Sequence, residues 1–467
     1  MKYNFPKNFL WGSSVWATGV ESASNEDDKA STVWDEYYRI DPNHFYNKVG
    51  PNDTLDFYHN YDKISDLLVE SSQKSFRTSI LWARLIPNGK NVNSKAVQFY
   101  ENAFKSIKQK GIYLSVVLYW FDMPLLYENK GGFSNPDIID DFVYYCKTCF
   151  DLFSKYVDTF FIYNEPIMDV LYKYQMGVCY PKERDLNKSF NAIYNMCLAH
   201  ALVVKEFKNG KYESNIGSVL NQSYVYPRSE TSGDLFAKKM YEVTQYESFE
   251  YPLLKGYFSE DWLKLVKDCG VDLKIKEGDL KLLNENKIEF LGINCYLPVR
   301  VKEKVKDKQC EMSLGFVNSP FFDHYVWKDR KFNVDRGWEI YPKVIYDLLM
   351  KNKKEYPNVT MMITENGIGI ANEGRYREDD MISDTYRIEF IKDHIKYLHK
   401  AIKDGANVIG YHVWSFVDLW SPTNQFKNCY GLYEFDLKTH EIKKKASACF
   451  YTKLCVENGF EEEEKNV

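Results

Sequence analysis

Thr159-Phe160-Phe161-Ile162-Tyr163-Asn164-Glu165-Pro166 is the stretch of sequence that decides the fold. Its first five residues are β-branched or aromatic, which predicts a buried strand, and the last three end that strand. Two interpretations of Glu165 are open. It is either a turn residue that faces solvent, as its neighbours Asn164 and Pro166 favour, or a carboxylate held at a strand end for a chemical purpose.

Seven further short apolar runs have the same strand-like character, and helical patterns or long loops separate them. The eight predicted strands are Leu10–Ser14, Ser75–Ile80, Leu114–Tyr119, Thr159–Asn164, Ile216–Asn221, Phe290–Tyr296, Met361–Asn366 and Val408–Trp414. Strands that alternate with helices predict a parallel sheet, and eight of them predict one (β/α)8 TIM barrel, an α/β fold. We expect a single domain over residues 1–467, with an acidic tail from about residue 457.

The segments between the strands carry helical periodicity or are unusually long. The predicted helices are Phe57–Glu70, Ala96–Lys110, Ile138–Tyr156, Phe190–Phe207 and Tyr386–Ile402, with Gly111 and Gly405 as C-caps. The long connections are Val15–Thr54, Asn221–Glu289 and Leu297–Gly337. Long βα loops on a barrel predict an active site built at the carboxyl ends of the strands.

Composition and charge exclude several classes of function. The chain has 61 basic and 66 acidic side chains, a net charge of −5, which predicts no general attraction to nucleic acid or to an anionic membrane. The N-terminus lacks an apolar signal segment, which predicts a cytoplasmic protein. Cys146 and Cys149 form the only C-x-x-C, inside a helical pattern, and the histidines have no ligand spacing, so no metal site is predicted.

The ends of the predicted strands carry polar and aromatic residues that core packing does not explain. These residues are Glu21, Arg77, Asp122, Asn164, Glu165, Asn294, Tyr296, Glu365, Asn366 and Trp414. Because the carboxyl ends of barrel strands converge on one cavity, we expect Glu165 and Glu365 to face each other across its mouth.

Two carboxyl groups in an aromatic-lined cleft suit the cleavage of a glycosidic bond. One must be protonated to give the leaving oxygen a proton, while the other attacks the anomeric carbon. Arg77 is expected to hold Glu365 ionised, Tyr296 to hydrogen-bond it, and the nearby negative charge to raise the pKa of Glu165. This chemistry requires no metal or organic cofactor, and none is predicted.

Seven motifs in order carry a family resemblance. They are Phe9–Gly12, Arg77–Pro87, Asn164–Pro166, Asn294–Tyr296, Gly337–Pro342, Ile363–Gly367 and Gly410–Ser415. With them the chain resembles glycoside hydrolase family 1, the retaining β-glycosidases, from Phe5 to about Tyr451.

The resemblance implies roles for individual residues. It implies that Glu165 is the acid/base and Glu365 the nucleophile, and that Arg77, Asn164 and Tyr296 support them. The residues that it implies in substrate binding are Trp120, Asp122, Asn294, Trp338 and Trp414, with Trp414 as the floor of the sugar site and Trp338 on the aglycone side.

Two departures from the family pattern lie at positions that bind sugar hydroxyls. Gly19 stands where the family usually has Gln, and Trp120 stands where it usually has His. An indole has one donor and cannot replace both imidazole nitrogens. Trp16 is a candidate to fill the space that Gly19 leaves.

A third departure points to a phosphorylated sugar. The β-glucosidases of the family carry Glu at the position of Ser421, whereas the 6-phospho-β-glycosidases carry Ser there, followed by a Lys and a Tyr. Ser421 and Tyr430 match that branch, whereas Asn428 occupies the usual Lys position, with Lys427 beside it. A glutamate would repel a phosphate dianion, while a hydroxyl can donate to it.

The sequence therefore predicts a retaining β-glycosidase of the 6-phospho-β-glucosidase or 6-phospho-β-galactosidase type, with Ser421, Lys427 and Tyr430 at the phosphate. Two alternatives stay open: a β-glucosidase or β-galactosidase for unphosphorylated sugars, and a catalytically weak sugar-binding barrel. The predicted partner is a small β-glycoside, with no nucleic acid and no membrane, and a homo-oligomeric state is left open.

Overall fold

The computed structural model describes residues 2–305, 319–422 and 424–462. Eight parallel strands close into a barrel in which each strand pairs with the next one along the chain. They are β1 (Leu10–Ser14), β2 (Ser75–Ser79), β3 (Tyr113–Tyr119), β4 (Thr159–Asn164), β5 (Asn215–Asn221), β6 (Phe290–Asn294), β7 (Thr360–Asn366) and β8 (Val408–Trp414). The predicted TIM barrel is confirmed. Strand β6 ends at Asn294, so Tyr296, predicted within it, lies just beyond the strand.

Helices surround the barrel, and their positions follow the apolar stripes in the sequence. Those of eight or more residues are Val33–Ile40, Phe57–Glu70, Ser94–Gln109, Ile138–Phe153, Leu186–Gly210, Ser232–Glu242, Glu260–Asp268, Glu277–Glu285, Lys343–Glu355, Thr385–Lys403 and Ala446–Glu457. Gly111 and Gly405 follow two of them with φ angles of +75° and +91°. A left-handed residue at this point favours glycine, as the sequence predicts for both C-caps. Cys146 and Cys149 are both buried inside their helix.

Short strands outside the barrel tie its loops and termini together. They are Lys2–Asn4, Val225–Pro227, Val299–Glu303, Phe322–His324, Lys331–Asn333, Trp338–Ile340, Ile370–Ala371, Arg377–Glu378, Met381–Ile382, Asn428–Cys429, Tyr433–Phe435, Ile442–Lys444 and Gly459–Glu461. Gly459–Glu461, in the stretch that the sequence assigns to an acidic tail, pairs with Lys2–Asn4. The last residues of that stretch, 463–467, lie outside the described residues.

The long connections lie on the carboxyl side of the strands. The Asn221–Glu289 connection contains three of the helices above. In the Leu297–Gly337 connection, residues 306–318 lie outside the described residues. Among the helices of the described ranges, none combines the length and the apolar character needed to cross a bilayer. A single-domain chain and a cytoplasmic location stay predictions.

Candidate active site

A cavity of about 570 Å³ opens at the carboxyl ends of the barrel strands. Both Glu165 and Glu365 line it, together with aromatic side chains. The aromatic residues in this lining include Trp16, Trp120, Tyr172, Tyr296, Trp338 and Trp414. The structure thus brings together the two carboxyl groups that the sequence separates widely.

Glu165 enters the cavity because the chain turns sharply after β4. Its φ and ψ angles are +45° and +53°, in the left-handed region, and Pro166 begins the short helix that follows. The backbone N–H of Glu165 donates to the Val219 carbonyl at 2.8 Å, next to a register shift between β4 and β5. Tertiary contacts therefore maintain a backbone conformation that is costly for a side chain with a Cβ.

Glu365 lies within β7 and receives two strong donors. The Arg77 guanidinium from β2 forms an ion pair with its Oε1, and the Tyr296 hydroxyl donates to its Oε2 at 2.6 Å. The Arg77 side chain is fully buried and that of Glu365 is 6% exposed. A buried arginine beside a buried carboxylate is compensated only by such direct pairing.

Amide side chains connect the two carboxyl groups. Arg77 Nη1 donates to Asn164 Oδ1 at 3.0 Å, and Asn294 Nδ2 lies 3.1 Å from the same oxygen. Asn294 Nδ2 also donates to Glu165 Oε1 at 2.7 Å. The network gives Glu365 a cationic partner and Glu165 a neutral one.

The pKa values of the two carboxyl groups reflect these surroundings. Burial and then the negative charge of Glu365 raise the pKa of Glu165 to about 8. Burial also raises the pKa of Glu365 above its usual value, although Arg77 and Tyr296 oppose this rise. The expectation that Arg77 stabilises the charged form of Glu365 agrees with the direction of its effect, but burial is the larger influence. Glu165 is the group better suited to carry a proton near neutral pH.

Three residues that the sequence did not single out support this network. The Ser14 hydroxyl lies 3.1 Å from Arg77 Nε and donates to the Thr364 carbonyl at 2.8 Å. His412 Nδ1 lies 3.3 Å from the same hydroxyl, and burial lowers the pKa of this histidine to about 3, so its ring is neutral. The Thr364 hydroxyl donates to Asn294 Oδ1 at 2.8 Å, which directs Nδ2 to Glu165. Thr364 and His412 lie inside two of the family motifs and Ser14 ends a predicted strand, but no role was predicted for any of them.

Tryptophan side chains form one wall of the cavity. The rings of Trp120 and Trp414 are 5.6 Å apart, and Trp16 lies 6.4 Å from Trp120. The Arg77 guanidinium lies 4.3 Å from the centre of the Trp120 ring. At the position where the family usually has histidine, this chain thus has an aromatic surface that covers the buried arginine.

The space beside Gly19 is filled by backbone. A Cβ on Gly19 would lie 2.3 Å from the Trp420 carbonyl oxygen and 3.1 Å from Leu419 Cδ1. Trp420 and Leu419 are thus the residues nearest to this point, and a role for Trp16 beyond them stays a prediction. A glutamine side chain at position 19 requires the Trp420 backbone to move.

Ser421, Tyr430 and Arg336 form a second group, which we call the rim cluster. All three line the cavity. Tyr430 is buried, and the Arg336 side chain donates a hydrogen bond to its hydroxyl. Trp338, also predicted at the site, lies 5.6 Å from Tyr296 and supports the Arg336 guanidinium at 4.4 Å. Nothing in the predicted motifs identified Arg336; its place before the turn residue Gly337 was the only signal.

Besides Arg77, Asn294 and Asn366, which are buried and do not line the cavity, three predicted residues lie away from the cavity surface. Lys427 is exposed on the outside of its loop. Asp122 is buried, accepts a hydrogen bond from the Trp120 N–H at 3.2 Å, and has a pKa that burial raises well above its usual value. Glu21, expected to converge on the cavity, instead pairs with Arg84 at 2.9 Å and accepts from the Tyr100 hydroxyl at 2.9 Å. Their positions favour structural support over substrate contact.

The barrel brings two buried carboxyl groups into an aromatic cleft at its strand ends. This arrangement is typical of the glycoside hydrolases. The model of glycosyl hydrolase family 1 matches residues 1–460, and the chain belongs to this family.

Individual relatives cover almost the whole chain. The 6-phospho-beta-glucosidase GmuD of Bacillus subtilis (strain 168) is 38% identical over 98% of this chain and 99% of its own length. Beta-glucosidase A of Acetivibrio thermocellus is 33% identical over 98% of this chain and 100% of its own length. A solved family 1 b-glucosidase from Thermotoga maritima has a TM-score of 0.90 and 29% identity, covering 99% of this chain and 100% of that structure.

Proposed function

We propose that this glycoside hydrolase is a retaining 6-phospho-β-glucosidase, with Glu365 as the nucleophile and Glu165 as the acid and base. The single observation that supports the phosphate is the rim cluster, whose hydroxyl, phenol and guanidinium groups line the same cavity as the two glutamates. The similarity to the 6-phospho-beta-glucosidase GmuD supports the same substrate class.

The unequal surroundings of the two carboxyl groups support their roles. Glu365 is bound by Arg77 and Tyr296, which stabilise a carboxylate ready to attack. Among the described residues, the side chain that hydrogen-bonds the Glu165 carboxyl group is the neutral Asn294 amide. Glu165 has a pKa of about 8, so it is protonated at neutral pH and can act as the acid.

The reaction proceeds in two balanced displacements. Glu365 attacks the anomeric carbon as the bond to the aglycone oxygen breaks, and Glu165 gives its proton to that oxygen. Glu165, now ionised, takes a proton from a water molecule that attacks the same carbon, while the bond to Glu365 breaks. The sugar leaves with its anomeric configuration retained, and both glutamates return to their first states.

The residues around the carboxyl groups position the sugar. Trp414 offers an aromatic face as the floor of the cavity, and Asn164 lies where its amide can contact the hydroxyl next to the anomeric carbon. Tyr296 links the nucleophile to the Trp338 wall of the cavity. We expect these contacts to hold the anomeric carbon between the two glutamates.

Ser421 is the residue that favours a phosphate over a free hydroxyl group. Its side chain lines the same cavity as Tyr430, and its hydroxyl lies 3.4 Å from the Gln425 carbonyl, a distance at which it can turn to another acceptor. A hydroxyl can donate to phosphate without the repulsion that a carboxylate would exert across the same gap.

A comparison of two substrates tests the proposal. The specificity constant kcat/KM is measured for p-nitrophenyl β-glucoside and for its 6-phosphate, and we expect the phosphorylated substrate to be preferred. Retention is checked by following the anomeric configuration of the first-formed sugar by NMR. Preference for the unphosphorylated glucoside would overturn the phosphate specificity, while release of the inverted sugar would overturn the two-step mechanism.

The second candidate function is a β-glucosidase that acts on unphosphorylated sugars. The similarity to Beta-glucosidase A favours it, because its 33% identity is close to the 38% identity of the 6-phospho-beta-glucosidase GmuD. The same pair of substrates separates the two functions. Negligible turnover of both substrates, unchanged by Glu365→Gln, would instead indicate the catalytically weak sugar-binding barrel.

A further inference from the structure

Arg336 lies in the turn of a hairpin whose strands are Lys331–Asn333 and Trp338–Ile340. Three contacts hold this turn against the loop that follows β7. Asn333 Nδ2 donates to the Gly369 carbonyl at 2.9 Å, and Asp335 Oδ2 accepts from the Ala371 N–H at 3.2 Å and from Arg375 Nη2 at 2.8 Å. The guanidinium of Arg336 is therefore presented from an anchored turn.

The guanidinium has one polar partner and one unused donor. It donates to the Tyr430 hydroxyl and lies over the Trp338 ring. Its Nε is buried and has no hydrogen-bond partner among the described residues. Arg336 as a whole is half-buried, and it forms no ion pair with a carboxylate of those residues. An unpaired buried donor on a cation is costly unless a ligand accepts from it.

The other cations near the cavity are occupied or point away. Arg300 makes two hydrogen bonds to Glu339, at 2.7 and 2.6 Å. Arg330 lies over the Phe332 ring at 4.1 Å. Lys427 is exposed outside the cavity. Among the arginines that line the described cavity, Arg336 alone contacts Tyr430.

Asn428 shows why a cation from another element fits here. This side chain is buried, and its Nδ2 lies 3.5 Å from the Asp335 carbonyl, so position 428 contacts the residue that precedes Arg336. Asn428 also pairs with Ala371 in a short antiparallel ladder. Position 428 thus contacts the backbone of the turn that carries Arg336.

We infer that Arg336 binds the phosphate of the substrate together with Ser421 and Tyr430, and that it sets the preference for a phosphorylated sugar in place of a lysine at position 428. The inference rests on the proposed function. A guanidinium with a free Nε–H can donate to a phosphate oxygen while another of its N–H groups keeps Tyr430 in place. The phosphate charge of −1.5 to −2 near neutral pH gives this contact its strength.

The test measures the ratio of kcat/KM for p-nitrophenyl β-glucoside 6-phosphate to that for p-nitrophenyl β-glucoside. Wild type is measured first; if it does not prefer the phosphorylated substrate, the proposed function fails and the inference fails with it. Given that preference, Arg336→Gln is expected to lower the ratio by about 10- to 100-fold, because one charged hydrogen bond is lost. Arg336→Lys keeps the positive charge but lacks the planar array of N–H donors of a guanidinium, so it should give an intermediate ratio.

Two matched variants serve as controls. Arg39→Gln removes an exposed arginine that pairs with Glu36 and does not line the cavity, and Lys427→Gln removes the exposed lysine next to Asn428. Each should change the ratio by less than about threefold, as expected for screened surface charges. The inference is overturned if Arg336→Gln leaves the ratio unchanged, which includes an equal loss in kcat/KM for both substrates. The proposed function would then stay intact. The inference is also overturned if either control lowers the ratio as much.

Discussion

The carboxylate site and the rim cluster are built in different ways. Glu165, Glu365, Arg77, Asn164 and Asn294, which form the carboxylate site, come from the ends of barrel strands and bond one another directly. The rim cluster takes its three members from a hairpin turn and from the loop after β8. One site is fixed by the hydrogen-bond ladder of the barrel, and the other by contacts between loops.

This difference separates chemistry from selectivity. A change at a strand end disturbs groups that every substrate needs, so all substrates are affected. A change in the rim cluster alters only the contact with one end of the sugar, so the effect depends on the substrate. Barrel enzymes vary their specificity in this way, through loops on a constant scaffold.

The largest effect is expected from Glu365→Gln. The amide cannot form the covalent intermediate, so kcat should fall roughly 10⁴-fold for phosphorylated and unphosphorylated substrates alike. Steady-state kinetics on both p-nitrophenyl substrates measures this. A loss confined to one substrate would break the proposed separation between the two sites.

Glu165→Gln should lower activity by roughly 10²- to 10⁴-fold, depending on the leaving group. The loss in bond cleavage is expected to be larger for an alkyl glycoside 6-phosphate than for the p-nitrophenyl substrate, because p-nitrophenolate leaves without a proton. Single-turnover measurements on the two substrates isolate this step. Equal losses for both leaving groups would argue against Glu165 as the acid.

Ser421→Glu should lower kcat/KM for the 6-phosphate roughly 100-fold, because a carboxylate would repel the phosphate at short range. Ser421→Gln is the matched control, since it has the same size without the charge. Comparing the two variants on both substrates isolates the electrostatic effect. If Glu and Gln behave alike, the phosphate does not lie beside position 421.

The pH profile should show a basic limb that belongs to Glu165. Burial raises the pKa of Glu165 to about 8, so the proton needed for cleavage is present below that pH and is lost above it. The expected kcat/KM falls about tenfold per pH unit above the apparent pKa. The pH profile of Glu165→Gln, assayed with the p-nitrophenyl substrate, should lack this basic limb. If the limb persists in the variant, it belongs to another titrating group.

The smallest effect is expected on the stability of the fold at Gly19, the departure from the family pattern that lies beside Trp420. Gly19→Ala should lower the free energy of unfolding by about 1–3 kcal/mol, because the new Cβ would overlap the Trp420 carbonyl at 2.3 Å. Gly374→Ala is the control, since a Cβ there has no atom within 4 Å. Thermal or denaturant unfolding compares the two, and equal stabilities would show that the Trp420 backbone adapts freely.

The fold and the carboxylate site were largely predictable, for a physical reason. Buried parallel strands are short apolar runs, and all eight barrel strands were located to within two residues at each end. Residues that end such strands converge by topology, so the pairing of Glu165 with Glu365 follows from the sequence pattern. The contacts of Glu21 and Asp122 were harder to predict. The sequence does not reveal whether a side chain at a strand end turns into the cavity or toward a buried partner, as Glu21 does toward Arg84.

The amino-acid sequence by itself determined the barrel, the two glutamates and the serine at position 421, because each depends on a local pattern or on a motif. Only the tertiary structure placed Lys427 outside the cavity and Arg336 inside it. These residues lie on different loops about 90 positions apart, and no periodicity relates one loop to another. Contacts through Asp335, Gly369 and Tyr430 decide which positive charge faces the substrate.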